Sequence, residues 1–187
     1  MTSDFTALTA AQVRAELAAV SADARATFGP LDDRQFNWRA TDSAWSVGQC
    51  LEHLVKANRA MCVAMNDALD GRRSFAQRLP VLPGVFGRML VKSQSPVAAR
   101  KFVAPQSARP GTSTVDRRTL NEFTDYNSEM SERLQALGSR ELALVMVSPF
   151  ASFITYSVLD GWRLIAAHNW RHVEQARRVT QSPGFPT

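Results

Sequence analysis

Apolar residues recur three and four places apart in four long stretches, and that spacing constrains the fold more than any other feature of the chain. Across residues 9–28, Val13, Leu17, Val20, Ala24 and Phe28 share one stripe. Thr9 and Gln12 have capping-box spacing at its start, and Gly29-Pro30 ends it. Residues 46–69 repeat the design, with Ser46 and Gln49 at the start, a stripe of Val47, Leu51, Leu54, Met61, Met65 and Leu69, and Gly71 closing it. Residues 114–137 carry Leu120, Phe123, Met130, Leu134 and Leu137, with Gly138 expected just past the helix end. A fourth stretch, 157–179, stops before Ser182-Pro183-Gly184. No convincing strand alternation appears, and the short apolar run 142–147 reads as a helical turn. The expected fold is therefore all-α: a four-helix bundle with a long crossover connection between the second and third helices. With no internal repeat and 187 residues, one domain over residues 1–187 is expected.

The connection itself is unusual. Residues 71–111 hold five of the nine prolines and eight basic residues (Arg72, Arg73, Arg78, Arg88, Lys92, Arg100, Lys101 and Arg109), with no acid. The chain as a whole is only +5, so the remainder is net acidic. Such a segment attracts anions, and an anionic substrate met by Arg100 and Lys101 is one reading of it. A solvated basic loop is the plainer one. Neither interleaved aromatics nor a helix-turn-helix pattern accompanies the charge, so nucleic acid is not the expected partner. A short helix over 85–92 fits inside it. No apolar run approaches the length of a membrane span and no secretion signal opens the chain, so a cytoplasmic protein is expected. Cys50 and Cys62, twelve residues apart on one helix, lie about 18 Å apart and beyond disulfide reach.

All three histidines fall within these helices. His168 and His172 are one turn apart, about 40° round the fourth helix from each other and on its apolar side. Their Cβ atoms therefore emerge about 5–6 Å apart, close enough for both rings to reach one ion. A lone core histidine is usually satisfied by hydrogen bonds, but two buried together must place two donors and two acceptors. A divalent cation accepts a lone pair from each ring and lets each N–H turn outward. The spacing is not that of a zinc protease, because Asn169 and Trp170 follow His168 where HExxH requires glutamate. His53 sits on the flank of the second stripe.

Three blocks carry a resemblance. They are "LDDRQFNWRATDSAWSVGQCLEHL" with its tryptophan, capping serine and histidine, "SPF" at 148–150, and "HNWRHVEQARRVTQSPGFP". Together they resemble the DinB-like superfamily of DinB/YfiT-type metal-dependent enzymes over most of 30–55 and 145–187. The resemblance implies a four-helix bundle in which His53, His168 and His172 hold a divalent metal ion, nickel or zinc. It also implies a small-molecule substrate, a homodimer, and either metal-dependent hydrolysis or transfer of a low-molecular-weight thiol. The alternative is a non-catalytic bundle, stapled by its metal, that serves in binding or stress response. No general base is apparent. Glu52 turns about 100° from His53 and Glu174 about 120° from His168, as expected of acids paired with surface Arg or Lys. Trp45 reads as a hydrophobic staple at the second helix, and Trp38, Trp162 and Trp170 as core or dimer-face residues.

Overall fold

The computed structural model describes residues 4–72, 83–96, 104–111 and 114–187. Four long helices form where the stripes predict them. They are α1 (Ala10–Phe28), α3 (Val47–Leu69), α5 (Arg118–Gln135) and α7 (Val158–Thr180); a short α2 (Asp33–Asn37) precedes α3. Both predicted capping boxes are made: Thr9 and Ser46 each accept from the backbone three residues on, and Gln12 and Gln49 answer the cap. Asp32 and Gln35 form a third at α2. At α7 the Ser157 side chain accepts from the Asp160 backbone, and Asp160 adds a negative charge to the first turn.

Both α1 and α3 pack against α5 and α7, which closes a four-helix arrangement around a common interior. The α1 stripe from Val13 to Phe28 is fully buried, and so are Leu51, Leu54, Phe123 and Met130 from the facing helices. Burial of each such side chain contributes about 1.5–3 kcal/mol. Three buried asparagines add a polar thread through this interior. Asn58 of α3 donates to Asn169 of α7 (3.1 Å), Asn169 to Asn127 of α5 (3.0 Å), and Asn127 to Ser21 of α1 (3.0 Å). With its partners in place the thread satisfies what would otherwise be costly buried amides.

The structure corrects the sequence reading at three places. The run expected to be a helical turn is instead split between a four-residue helix, α6 (Ser139–Leu142), and a strand, β1 (Val145–Ser148). β1 pairs antiparallel with β2 (Ala151–Ser157) in the register Val145↔Ser157, Met146↔Tyr156 and Val147↔Thr155, which slips at Ser148. The fold is thus mostly helical with a small two-stranded sheet rather than all-α. Gly138 stands at the N-cap of α6 rather than just past α5, whose last helical residue is Gln135 with Ala136 as its C-cap. The short helix inside the connector, α4 (Pro83–Gln94), is longer than expected and packs on α7 and β2. Gly161 lets α7 approach the rest of the core: a Cβ there would lie 2.7 Å from Met65 Cε and 2.8 Å from Met146 Sδ. Of the connector's basic residues, Arg73, Arg78, Arg100 and Lys101 lie outside the described residues, and with them the reading that Arg100 and Lys101 meet the substrate. No helix among the described residues is long and apolar enough to cross a membrane.

Candidate metal centre

α3 contributes His53 and α7 contributes His168 and His172, and packing of α3 on α7 brings the three rings together. Their centroids are 5.0 Å (His53–His168), 4.5 Å (His53–His172) and 4.6 Å (His168–His172) apart. One nitrogen from each ring lies within 4.8 Å of the other two. His53 is buried, whereas His168 and His172 are half-buried.

Hydrogen bonding fixes the state of His53. Its Nδ1 lies 2.6 Å from the Ala108 carbonyl oxygen, which can only accept, so Nδ1 carries the proton and Nε2 keeps a lone pair. That Nε2 lies 3.2 Å from Nε2 of His168. Two ring nitrogens meeting in this way need a proton or a cation between them. The separation is close to the ~3.3 Å edge of a tetrahedron built from ~2.0–2.1 Å metal–nitrogen bonds. Nδ1 of His172 is sealed from solvent with no hydrogen-bond partner among the described residues.

Electrostatics keep all three rings neutral. Burial pushes His53 down; the Ala108 carbonyl opposes this and the Lys56 charge adds to it. Burial, followed by the neighbouring histidines and Arg171, holds His168 well below the ordinary histidine range. Burial, with His53 and Arg171 adding to it and Gln175 pulling the other way, pushes His172 down to about 3. Neutral imidazole is the form that ligates a metal. A donor set of three neutral imidazoles, two with nitrogens converging and one with an orphaned buried nitrogen, fits a divalent transition-series ion.

Trp45 forms a wall of the cluster. Its ring lies 5.0 Å from that of His53 and is stacked 5.8 Å from that of His172, tilted by 27°. The expected staple position, one residue before the Ser46 cap, is thus also a place at the site, which the sequence reading missed. The Ala108 carbonyl was missed as well, because a backbone acceptor leaves no signature in residue type. Asn169 and Arg171, which flank the pair on α7, are engaged away from the rings, in the asparagine thread and at the Ser93 carbonyl (3.0 Å). The two acids are engaged elsewhere: Glu52 pairs with Lys56 (2.7 Å) and accepts from the Gly111 backbone (2.9 Å), and Glu174 pairs with Arg177 (3.4 Å). A cleft of about 270 Å³ between α3 and the start of α5 is not lined by the histidines, and its charged walls are already paired, Lys56 with Glu52, Arg59 with Glu122 and Asp116 with Arg118. Cys50 is fully buried, and desolvation pushes its thiol up to about 12, so it is no nucleophile at neutral pH.

The sequence profile of the DinB superfamily matches residues 16–176, which takes in α3 and α5 whole, most of α1 and α7, and all three histidines. The chain belongs to the DinB superfamily. Among solved structures, YfiT from Bacillus subtilis matches this DinB chain with a TM-score of 0.55 at 13% identity, covering 95% of this chain and 89% of YfiT. YfiT is described as "a probable metal-dependent hydrolase with an unusual four-helix bundle topology". At that identity the likeness carries the fold, and it extends the four-helix comparison over nearly the whole DinB chain. No curated protein matches it.

Proposed function

We propose that this DinB protein is a metal-dependent hydrolase acting on a small molecule, with His53, His168 and His172 holding one divalent ion, zinc or nickel, in a single domain. The convergence of the chain's three histidines, all neutral and with Nε2 of His53 facing Nε2 of His168, is the observation that carries the reading. Three ligands leave a coordination position for substrate or water, which is the pattern of a catalytic rather than a closed structural site. Bound there, the ion supplies Lewis acidity, which makes water or a thiol acidic near neutral pH. The chain's own contributions are separate from that chemistry. The Ala108 carbonyl fixes the His53 tautomer, α7 sets the spacing of His168 and His172, and Trp45 shields one side of the cluster with an apolar ring. YfiT's description as a hydrolase ranks hydrolysis ahead of thiol transfer.

Elemental analysis of tag-free protein, set beside His168→Ala, tests the metal directly. About one equivalent in the wild type and almost none in the variant is the expected result; equal content in both refutes the ligand set. Loaded protein is then assayed on a panel of esters and amides, and separately with a low-molecular-weight thiol and an electrophile. Metal-dependent turnover of the first panel supports hydrolysis, and turnover confined to the second replaces it with thiol transfer. A homodimer is part of the proposal, supported by the exposed Val85 and Met89 on α4 and Phe153 on β2, and sedimentation equilibrium checks it.

A further inference from the structure

Four side chains along one face of α3 reach for a single short piece of the basic connector. Gln49 Nε2 donates to the Gly111 carbonyl (2.8 Å), and Glu52 Oε2 accepts from the Gly111 N–H (2.9 Å). Lys56 Nζ donates to the Arg109 carbonyl (3.2 Å), and His53 Nδ1 donates to the Ala108 carbonyl (2.6 Å). The spacing 49, 52, 53, 56 is that of one helical face. Gln49 and Glu52 together satisfy both backbone groups of Gly111, as a neighbouring strand would.

The docked segment 104–111 is internally braced. A 3-10 turn at Gln106–Ala108 closes with the Ala108 N–H on the Pro105 carbonyl (2.9 Å), and Arg109 Nε donates back to the Ala104 carbonyl (2.9 Å). Ala108 is 1% exposed, so its carbonyl is pressed against the helix rather than solvated. Pro105 and Pro110 bracket the turn and reduce the conformations open to it when undocked. Only one of the four contacts involves a candidate ligand. The other three hold in place the acceptor that this ligand needs.

We propose that segment 104–111 is a positioning strap, and that Glu52 acts through it, as a positioning residue, to set the affinity of the histidine cluster for its metal. The inference rests on the metal reading above. Outer partners that fix a histidine's tautomer and ring orientation typically change metal affinity about 10–100-fold when removed. Linkage requires the converse too: whatever factor strap docking adds to metal binding, metal binding adds to strap docking. Part of the connector is thereby assigned to tuning the site rather than to attracting its substrate.

The test uses full-length protein and Zn2+ alone. Affinity is read by competition with a chromophoric chelator, and hydrogen exchange is followed across 104–111 with and without zinc. Glu52→Ala removes the acceptor for Gly111. Glu52→Gln keeps an oxygen there but removes the charge, and Gly111→Pro removes the donor while leaving α3 untouched. Expected are a fall of about 10-fold or more in zinc affinity for Glu52→Ala and Gly111→Pro, near-normal affinity for Glu52→Gln, and slower exchange in the wild-type strap when zinc is added. Unchanged affinity in Glu52→Ala, with strap exchange indifferent to zinc, overturns the proposal while the metal reading stands. Glu52→Gln as weak as Glu52→Ala, with its strap exchanging as in the wild type, overturns it as well, since the carboxylate charge, which also pairs with Lys56, would then be acting without the strap. A wild-type protein that takes up no zinc or any other divalent ion overturns both. Helical circular dichroism of each variant, measured without metal, separates loss of positioning from loss of fold.

Discussion

Replacing His172 with leucine should stabilise the metal-free protein while abolishing its metal site. Nδ1 of His172 is buried with no hydrogen-bond partner among the described residues. An orphaned buried polar group costs about 1–3 kcal/mol, and leucine, of similar size, removes it. At pH 7.5 the variant should therefore match the wild type or exceed it by up to that amount. A second effect depends on pH. The folded protein holds His172 down to about 3 against an ordinary value of 6.5. Between those values the unfolded chain binds a proton that the folded chain excludes, so stability is complete above 6.5 and falls as the pH drops below it. From pH ~7.5 to ~5.5, His172 alone should cost the wild type about 1.4 kcal/mol. His53 and His168, also held down, push in the same direction. Urea unfolding at both pH values, in chelator, gives the two stabilities, provided the m-value is constant. The wild type should lose about 1.4 kcal/mol more than His172→Leu on acidification. Equal losses, or a variant weaker by more than about 1 kcal/mol at pH 7.5, would refute the reasoning. Zinc at 100 times its Kd should add about 2.7 kcal/mol to the wild type and nothing to the variant.

Asn169→Ala should destabilise the fold by about 1–3 kcal/mol, because it leaves Asn58 and Asn127 with unmatched buried amides; the shift in thermal midpoint reads this out. Adding Asn127→Ala should cost less than the sum of the single variants, since the two share one hydrogen bond. Gly161→Ala should cost about 1–3 kcal/mol by forcing Met65 and Met146 aside, measured by denaturant midpoint. Cys50 and Cys62, both buried and with thiols pushed up, should stay unreactive toward an aromatic disulfide reagent until the protein is unfolded.

The long helices were legible because each carries a periodic apolar stripe, and in α1 and α3 a capping pair independently marks the start and agrees with the stripe; α5 has no side-chain cap and was read from its stripe alone. The histidine cluster was legible in part. The one-turn spacing of His168 and His172 follows from helix geometry, whereas the meeting with His53 came only with the family resemblance, since periodicity puts it on a flank. The hairpin was not legible: its strands are four and seven residues long, the loop has no glycine, and burial along β2 does not alternate. Without alternation a strand of that length looks like any short apolar run. The segment 104–111 was illegible for a different reason. Its partners are carbonyls and an N–H, which every residue type offers.

Ser157 is at once the last residue of β2, paired with Val145, and the N-cap of α7. That double duty indexes the helix. Were α7 to advance by a single residue, it would shift by about 1.5 Å and turn by about 100°, swinging His168 and His172 away from His53. The hydrogen-bonded ladder behind Ser157 forbids that screw motion, so a two-stranded sheet works as the detent that holds a 23-residue lever in register.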